Sequence, residues 1–240
     1  MCHRLDTVKE ERMESRKVRR VSVTLPALGE PGLYLSNVTS LEGGRGRVAE
    51  FQYADQDLRE LDLAGAHLLD GRIQRVRTQR ARLHEVRADS VQFTDCDLSS
   101  LTWSGSKLSR VTFSNCKLMG AQFEDVALDN VLFENCKFDY ATLDRLRATG
   151  PLIFSKCTLR ETTIKACDLS SVAFDACDLR LTEFEGGKYR DCDLRGNDLS
   201  TLRGAAVLKK VLIDRAQVAQ LAEALAAELE VTYGEDLDDD

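Results

Sequence analysis

Residues 91–135 read VQFTD CDLSS LTWSG SKLSR VTFSN CKLMG AQFED VALDN VLFEN, nine groups of five in which the third member is always a large apolar side chain. The first member of each group is mostly small or β-branched, as at Val91, Cys96, Val111, Cys116, Ala121, Val126 and Val131. Extended outward, the large series starts at Tyr53 and runs through Leu58, Leu63, Leu68, Ile73 and Leu83, weakened only at Thr78 and Ala88 before Ala148. Beyond Leu143 it resumes one residue late, at Phe154, Leu159, Ile164, Leu169, Phe174, Leu179, Phe184, Tyr189, Leu194 and Leu199. A period of five is neither the 3.6 of a helix nor the alternation of a flat strand. It fits a backbone that turns a corner every five residues and sends two side chains per unit into one central column.

Units such as Cys96-Asp97-Leu98, Cys167-Asp168-Leu169, Cys177-Asp178-Leu179, Cys192-Asp193-Leu194 and Asn197-Asp198-Leu199 resemble the pentapeptide-repeat family over about residues 51–201. The resemblance implies an all-β solenoid, a right-handed quadrilateral β-helix with four units, or 20 residues, per coil. Residues 20 apart are then expected to stack. Phe93, Phe113 and Phe133 recur at that interval, joined by Phe154 and Phe174 once the added residue near Gly150-Pro151 is counted. Cys96, Cys116, Cys136, Cys157 and Cys177 form a parallel series three residues later. No CxxC pair occurs among the eight cysteines, so the spacing predicts buried thiols acting as small hydrophobes, with no metal and no disulfide. The added residue is expected to be absorbed as a one-residue bulge or corner loop.

Flanking segments are expected to cap the two open ends, because an uncovered coil exposes unpaired edge groups. Residues 1–20 are expected to be flexible, and Met13 is a candidate start. Residues 21–50, with the alternating Val21-Ser22-Val23-Thr24-Leu25 and the loop Gly43-Gly44-Arg45-Gly46, are expected to cover the first coil. Residues 202–233 are expected to form a cap of a short strand, Val211-Leu212-Ile213, and a helix opened by Asp214 and Gln217; residues 234–240 are an acidic tail. Val218, Leu221, Ala222, Leu225 and Leu229 share one face of that helix. They are read as a lid on the last coil, or as a homodimer contact of the kind the resemblance implies for topoisomerase-binding members.

The sequence offers no catalytic constellation. His3 stands in the loose start, and His67 and His84 stand at outward repeat positions without a nucleophile beside them. No phosphate-binding glycine loop or other cofactor motif appears, no apolar run is long enough for a membrane helix, and a cytoplasmic, non-enzymatic protein is expected. Any function must then lie on the outward positions. The face centred on Leu63, Leu83, Trp103, Phe123, Leu143, Ile164 and Phe184 carries a net charge of −4, with Asp62, Glu124, Asp125, Asp144, Glu183 and Glu185 as candidate partner-binding residues; the other faces sum to −1, 0 and +1.

The resemblance implies that this acidic face mimics duplex DNA toward a type II topoisomerase, DNA gyrase, inhibiting it or protecting it from poisons. The magnitude limits that expectation. A shaft of about 36 Å corresponds to duplex carrying roughly 20 phosphates at one charge per ~1.7 Å, about five times the charge of the face. The alternative is a protein-binding scaffold without mimicry. Six arginines between Arg72 and Arg87 fall on all four faces when counted by coil, so direct nucleic-acid binding is not favoured.

Overall fold

The computed structural model describes residues 14–42 and 46–234. The expectations for His3, for Met13, for Gly43 to Arg45 and for the acidic run 235–240 lie outside the described residues.

The repeat region is a β-solenoid of about seven turns. Strands of up to eight residues, such as His67–Gln74, Arg87–Thr94, Lys107–Ser114 and Ala127–Glu134, bend across one corner and build a nine-stranded sheet over two faces. A third face is a seven-stranded sheet from Leu61–Ala64 to Glu183–Glu185. The fourth is pinned by the short pair Asp57–Leu58 with Arg77–Thr78 and then by single bridges from Arg77 to Asp97, Lys117, Lys137, Thr158 and Asp178. The solenoid pairings are parallel and join residues 20 apart, or 21 across the added residue: Phe93 pairs with Phe113, Phe113 with Phe133, and Phe133 with Phe154. We name the faces after their central residues in one coil: the Phe93, Leu98, Trp103 and Leu108 faces.

The corners explain why five residues suffice for a side. The last residue of nearly every unit has positive φ, as in Asp95 (54°), Asn115 (56°), Asn135 (55°) and Gly120 (63°). At the corner between the Leu98 and Trp103 faces, the carbonyl of Phe138 accepts from the Ala141 N–H at 2.8 Å around Tyr140, the bond expected of a type II turn. Asn and Asp tolerate this conformation and bond along the stack: the Asn115 amide donates to Asp95 at 3.0 Å, and the Asn135 amide to Asn115 at 2.7 Å.

Inside, the Phe93, Phe113, Phe133, Phe154 and Phe174 rings stack with centroids 4.5 to 5.0 Å apart and interplanar angles of 18° or less. Each buried side chain of this size contributes about 1.5–3 kcal/mol. Thr78 and Ala88, the two weak positions, are also buried, and the Thr78 hydroxyl donates to the Arg80 carbonyl at 2.7 Å. Where Phe51 enters at a position that usually holds a small residue, the next coil carries Gly71; a Cβ there would lie 2.1 Å from the Phe51 ring. The cysteine series is fully inside, each of Cys96, Cys136, Cys157 and Cys177 donating its thiol to a carbonyl one coil earlier at 3.4–3.5 Å. Burial pushes the Cys167 thiol up to about 12, and burial pushes Cys192 up as well. The added residue is taken up at the corner Thr149-Gly150-Pro151, where the Thr149 and Gly150 N–H groups both reach the Leu128 carbonyl (2.8 and 3.3 Å) and the Pro151 carbonyl accepts from Val131.

The N-terminal segment departs from its expected place, and residues 15–20, expected to be flexible, form the first strand and turn of a hairpin. β1 (Ser15–Val18) and β2 (Val21–Thr24) form an antiparallel hairpin, but it lies along the outside of the Phe93 face and not over the first coil. Three outward positions there are apolar, Leu132, Ile153 and Ala173, and they are buried under Val18, Val21, Val23 and Leu25. Arg19 anchors the hairpin turn, donating to the Arg195 carbonyl at 2.7 Å and to Asp193 at 3.3 Å, and the Asn130 side chain accepts from the Thr24 N–H at 2.9 Å. Only the end of the 21–50 segment caps the shaft: Ser36–Asn37 pairs with Phe51–Gln52, and Leu41 plugs the column.

At the other end, the expected strand at Val211–Ile213 shrinks to one bridge between Leu212 and Asp193, because only one edge remains to pair with. Amide side chains satisfy the last coil. Gln217, 4% exposed, donates to the Leu194 and Asn197 carbonyls at 2.9 and 2.7 Å and accepts from the Asp214 N–H at 2.7 Å. Asn197 in turn accepts from the Cys177 N–H at 2.8 Å and donates to the Phe174 carbonyl at 3.0 Å. The helix α1 (Val218–Glu228) follows directly and buries Ala224 against the stack.

Two outcomes test this arrangement. Gln217→Ala strands two carbonyls and one N–H and is expected to lower stability by roughly 1–3 kcal/mol, read as a lower denaturant midpoint, with hydrogen exchange rising first in the last coil. Of the eight cysteines, at most one thiol, that of Cys2, is expected to react with a disulfide reagent within minutes in native buffer, and all eight in guanidinium. Two or more fast native thiols would contradict the buried column.

Candidate partner-binding surface

Four faces and two ends are available to a partner, and the fold disposes of several. The Phe93 face is covered in part by the hairpin. The helix α1 splits its apolar residues: Leu221 and Leu225 pack against the core beside Val211 and Ile213, while Val218 (57% exposed), Ala222 and Leu229 (73%) face outward, joined by Val231 and Tyr233. The helix is therefore a lid that keeps an apolar outer strip.

On the Trp103 face the candidate carboxylates are placed by the sheet in register, Gln122–Glu124 beside Thr142–Asp144. Register also puts a cation among them. The Arg145 guanidinium meets Glu124, Asp125 at 3.0 Å and Asp144 at 2.7 Å, and this contact holds the Asp125 carboxyl below the usual carboxylate range. Lys165 lies 3.6 Å from Glu185, and Arg82 lies 3.7 Å from Asp62 and 2.9 Å from Glu60. Glu183 alone of the six has no ion-pair partner among the described residues. The six acids share one face, but five of them contact basic side chains on it, three of them the single Arg145.

Two surface features were not singled out by the sequence reading. Tyr140 and Leu181 sit at the corner between the Leu98 and Trp103 faces with φ of 63° and 57°, and are 60% and 38% exposed. Their turn position is held by Ser100, Gly120 and Glu161 in other coils. A bulky residue in that slot was visible in the 20-residue register. The second is a groove of about 1190 Å³ along the Leu108 face, lined among others by His67, Arg87, Lys107 and Arg147. A sum over the face hides it, because acidic residues stand in the next column.

The interior is a packed column and not a site. Trp103 is fully buried among Phe93, Phe113 and Phe123, with centroids 5.9 to 6.0 Å away, and its indole N–H has no acceptor among the described residues. Among the described residues, no three His, Cys, Asp or Glu side chains are grouped to hold a metal ion. Asp139 is buried on the Leu98 face. Burial pushes its carboxyl up, but the Arg160 side chain at 2.8 Å and the Arg160 N–H outweigh this and hold it below the usual range.

A family profile described as a pentapeptide repeat region matches residues 86–148 and 126–203. No curated protein matches the chain. Among solved structures, a trypsin-treated form of QnrB1, described as a plasmid-mediated fluoroquinolone resistance protein, is 22% identical over 75% of this chain and 87% of that one, with a TM-score of 0.37. HetL, a pentapeptide-repeat protein involved in heterocyst differentiation regulation in the cyanobacterium Nostoc, is 14% identical over 69% of this chain and 86% of that one, with a TM-score of 0.19. Five-residue units, a 20-residue register and the profile match agree, and the chain belongs to the pentapeptide-repeat family.

Proposed function

We propose that the protein is a non-catalytic binding shaft whose protein partner docks on the corner between the Leu98 and Trp103 faces. The observation that carries this reading is the pair Tyr140 and Leu181. The left-handed backbone there is common to nearly every corner, but at these two a bulky apolar side chain is held out of the core, 60% and 38% exposed. Exposed apolar side chains at a slot that other coils fill with Ser100, Gly120 and Glu161 are a sign of a contact surface. The two side chains are two coils, or about 10 Å, apart along the shaft. Glu161 stands between them, and Glu183 lies on the adjoining face.

The finer reading makes the partner a type II topoisomerase, DNA gyrase, engaged in its DNA-binding saddle, with two shafts joined through the outward strip of α1. The rod form and the exposed Val218 and Leu229 support it. Electrostatic imitation of duplex DNA has less support, since Arg145 alone occupies three of the carboxylates that such imitation needs. That ion pairing favours the second reading, a scaffold for a partner that recognises the Tyr140 corner by shape and apolar contact.

A gyrase supercoiling assay, with and without a quinolone, separates the readings. The topoisomerase reading expects concentration-dependent inhibition or protection, and at least a tenfold loss of it in the Tyr140→Gly, Leu181→Gly double variant, whose folding the glycines relieve of strain. Arg145→Gln releases Glu124, Asp125 and Asp144. It strengthens the effect several-fold where charge mimicry is the mode and leaves it unchanged where the corner is read by shape. Supercoiling unaffected across a wide range of protein concentration removes gyrase and leaves the scaffold. A solution mass taken alongside, expected at twice the chain mass, tests the α1 contact.

A further inference from the structure

The cationic groove on the Leu108 face stands out within this shaft by the length of its unpaired column. On the other faces many charges that face each other one coil apart are matched, as Asp55 with Arg75 at 2.6 Å, Asp97 with Lys117 at 2.9 Å and Asp125 with Arg145 at 3.0 Å, while like charges meet at single steps, Lys117 beside Lys137 and Glu124 beside Asp144. On the Leu108 face the parallel register aligns Arg47, His67, Arg87 and Lys107, then Ala127 and Arg147, in a single column, which ends at Asp168, the next residue in register, itself paired with Lys188 at 3.6 Å. None of Arg47, Arg87, Lys107 and Arg147 has an acidic partner within 4.0 Å among the described residues, and all four are exposed. Like charges directly opposite on neighbouring strands destabilise a sheet. The fold sustains this column over five coil steps, about 24 Å at one strand spacing each.

The surroundings define what fits. Gly65, Gly105 and Ala127 carry little or no side chain, so the long cations rise beside a depression of about 1190 Å³. Its rims are acidic: Glu85 and Asp125 on one side, Asp89 on the other. Asp125 and Asp89 are already occupied, by Arg145 and Arg110, and Glu85 lies 3.6 Å from the His84 ring. The uncompensated positive charge is thus one side chain wide. A nucleic-acid duplex broad enough to cover the face would lay phosphates against the acidic rims. A single strand would need aromatic platforms for its bases, and the groove offers only His67. A narrow polyanion lying along the axis meets neither obstacle.

We infer that this column is the docking site of an acidic peptide segment of a partner protein, bound in extended form parallel to the solenoid axis. About seven extended residues at ~3.3 Å each span the column, and carboxylates on alternate residues face it every ~6.6 Å, within reach of long flexible cations spaced by ~4.8 Å. Arg87 and Arg147 supply planar forks suited to carboxylates, and Lys107 a mobile point charge between them. The site is on a different face from the Tyr140 corner and does not depend on it.

The test is fluorescence anisotropy of a fluorescein-labelled, glutamate-rich octapeptide titrated with the full chain. Saturable binding is expected, weakening about tenfold or more from 50 to 300 mM NaCl. Arg87→Glu with Lys107→Glu is expected to abolish it, and Arg87→Ala with Lys107→Ala to weaken it at least fivefold; both positions are exposed, and unchanged circular dichroism verifies the fold. Lys137→Glu, on the Leu98 face, is expected to leave binding within twofold. Peptide binding that survives the charge reversal overturns the assignment, as does absence of binding at low salt. Tighter binding of a 20-base-pair duplex through Arg87 and Lys107 would overturn it in favour of nucleic acid.

Discussion

Everything in this molecule depends on one geometrical requirement: each coil must close after 20 residues so that its backbone groups meet those of the next. The requirement is met by a left-handed residue at nearly every fifth position and an inward pair between corners. Once it is met, neighbours are chosen by register. A phenylalanine finds a phenylalanine 4.5 to 5.0 Å away, an asparagine finds an asparagine, and Phe51 obliges position 71 to be glycine. Local sequence and long-range contact become the same statement, because nearly every long-range contact is a step of one coil. Stability is then close to a sum of nearest-neighbour terms, and weakness concentrates at the two ends.

The ends show how much a repeat fold relies on residues outside the repeat. A terminal coil has a central column with no ceiling and a ladder with no partner. Leu41 supplies the first ceiling as an apolar plug. The last is built from side-chain amides, since Asn197 and Gln217 can donate and accept within one group and so imitate the missing backbone. The helix α1 then covers what the amides have satisfied.

The core was legible in the sequence because burial imposes one rule on every unit, and a rule repeated some thirty times is visible through local exceptions. Thr78 and Ala88 break the pattern of size yet occupy the expected places. The hairpin was not legible as a cover for the Phe93 face. Val21 to Leu25 announce a strand with one apolar side but not where that side is buried. The partner signal was present in Leu132, Ile153 and Ala173, apolar residues at outward positions one coil apart. It emerges only when the sequence is read by outward column, where a run of apolar residues has no reason to exist unless something covers it. The helix α1 was read as a single apolar face and proved to be two, because Leu221 and Leu225 turn toward the stack while Val218 and Leu229 do not.

Charge teaches the same lesson about the unit of reading. A sum over a face weighs charges that are far apart equally with those one strand spacing apart, yet at ~4.8 Å a pair interacts strongly enough to fix side-chain conformation, and beyond a Debye length of about 8 Å exposed charges are largely screened. The Trp103 face sums to −4 with Arg145, Lys165 and Arg82 already counted, but those three cations stand among its carboxylates and interrupt the acidic run. The Leu108 face sums to +1 but contains a column of four unmatched cations. What an incoming partner meets is the local remainder after neighbours have paired. By that measure the solenoid presents a narrow positive track on one side and, at a corner elsewhere on the shaft, two exposed apolar side chains. Neither resembles the uniformly anionic rod that its net charge suggests.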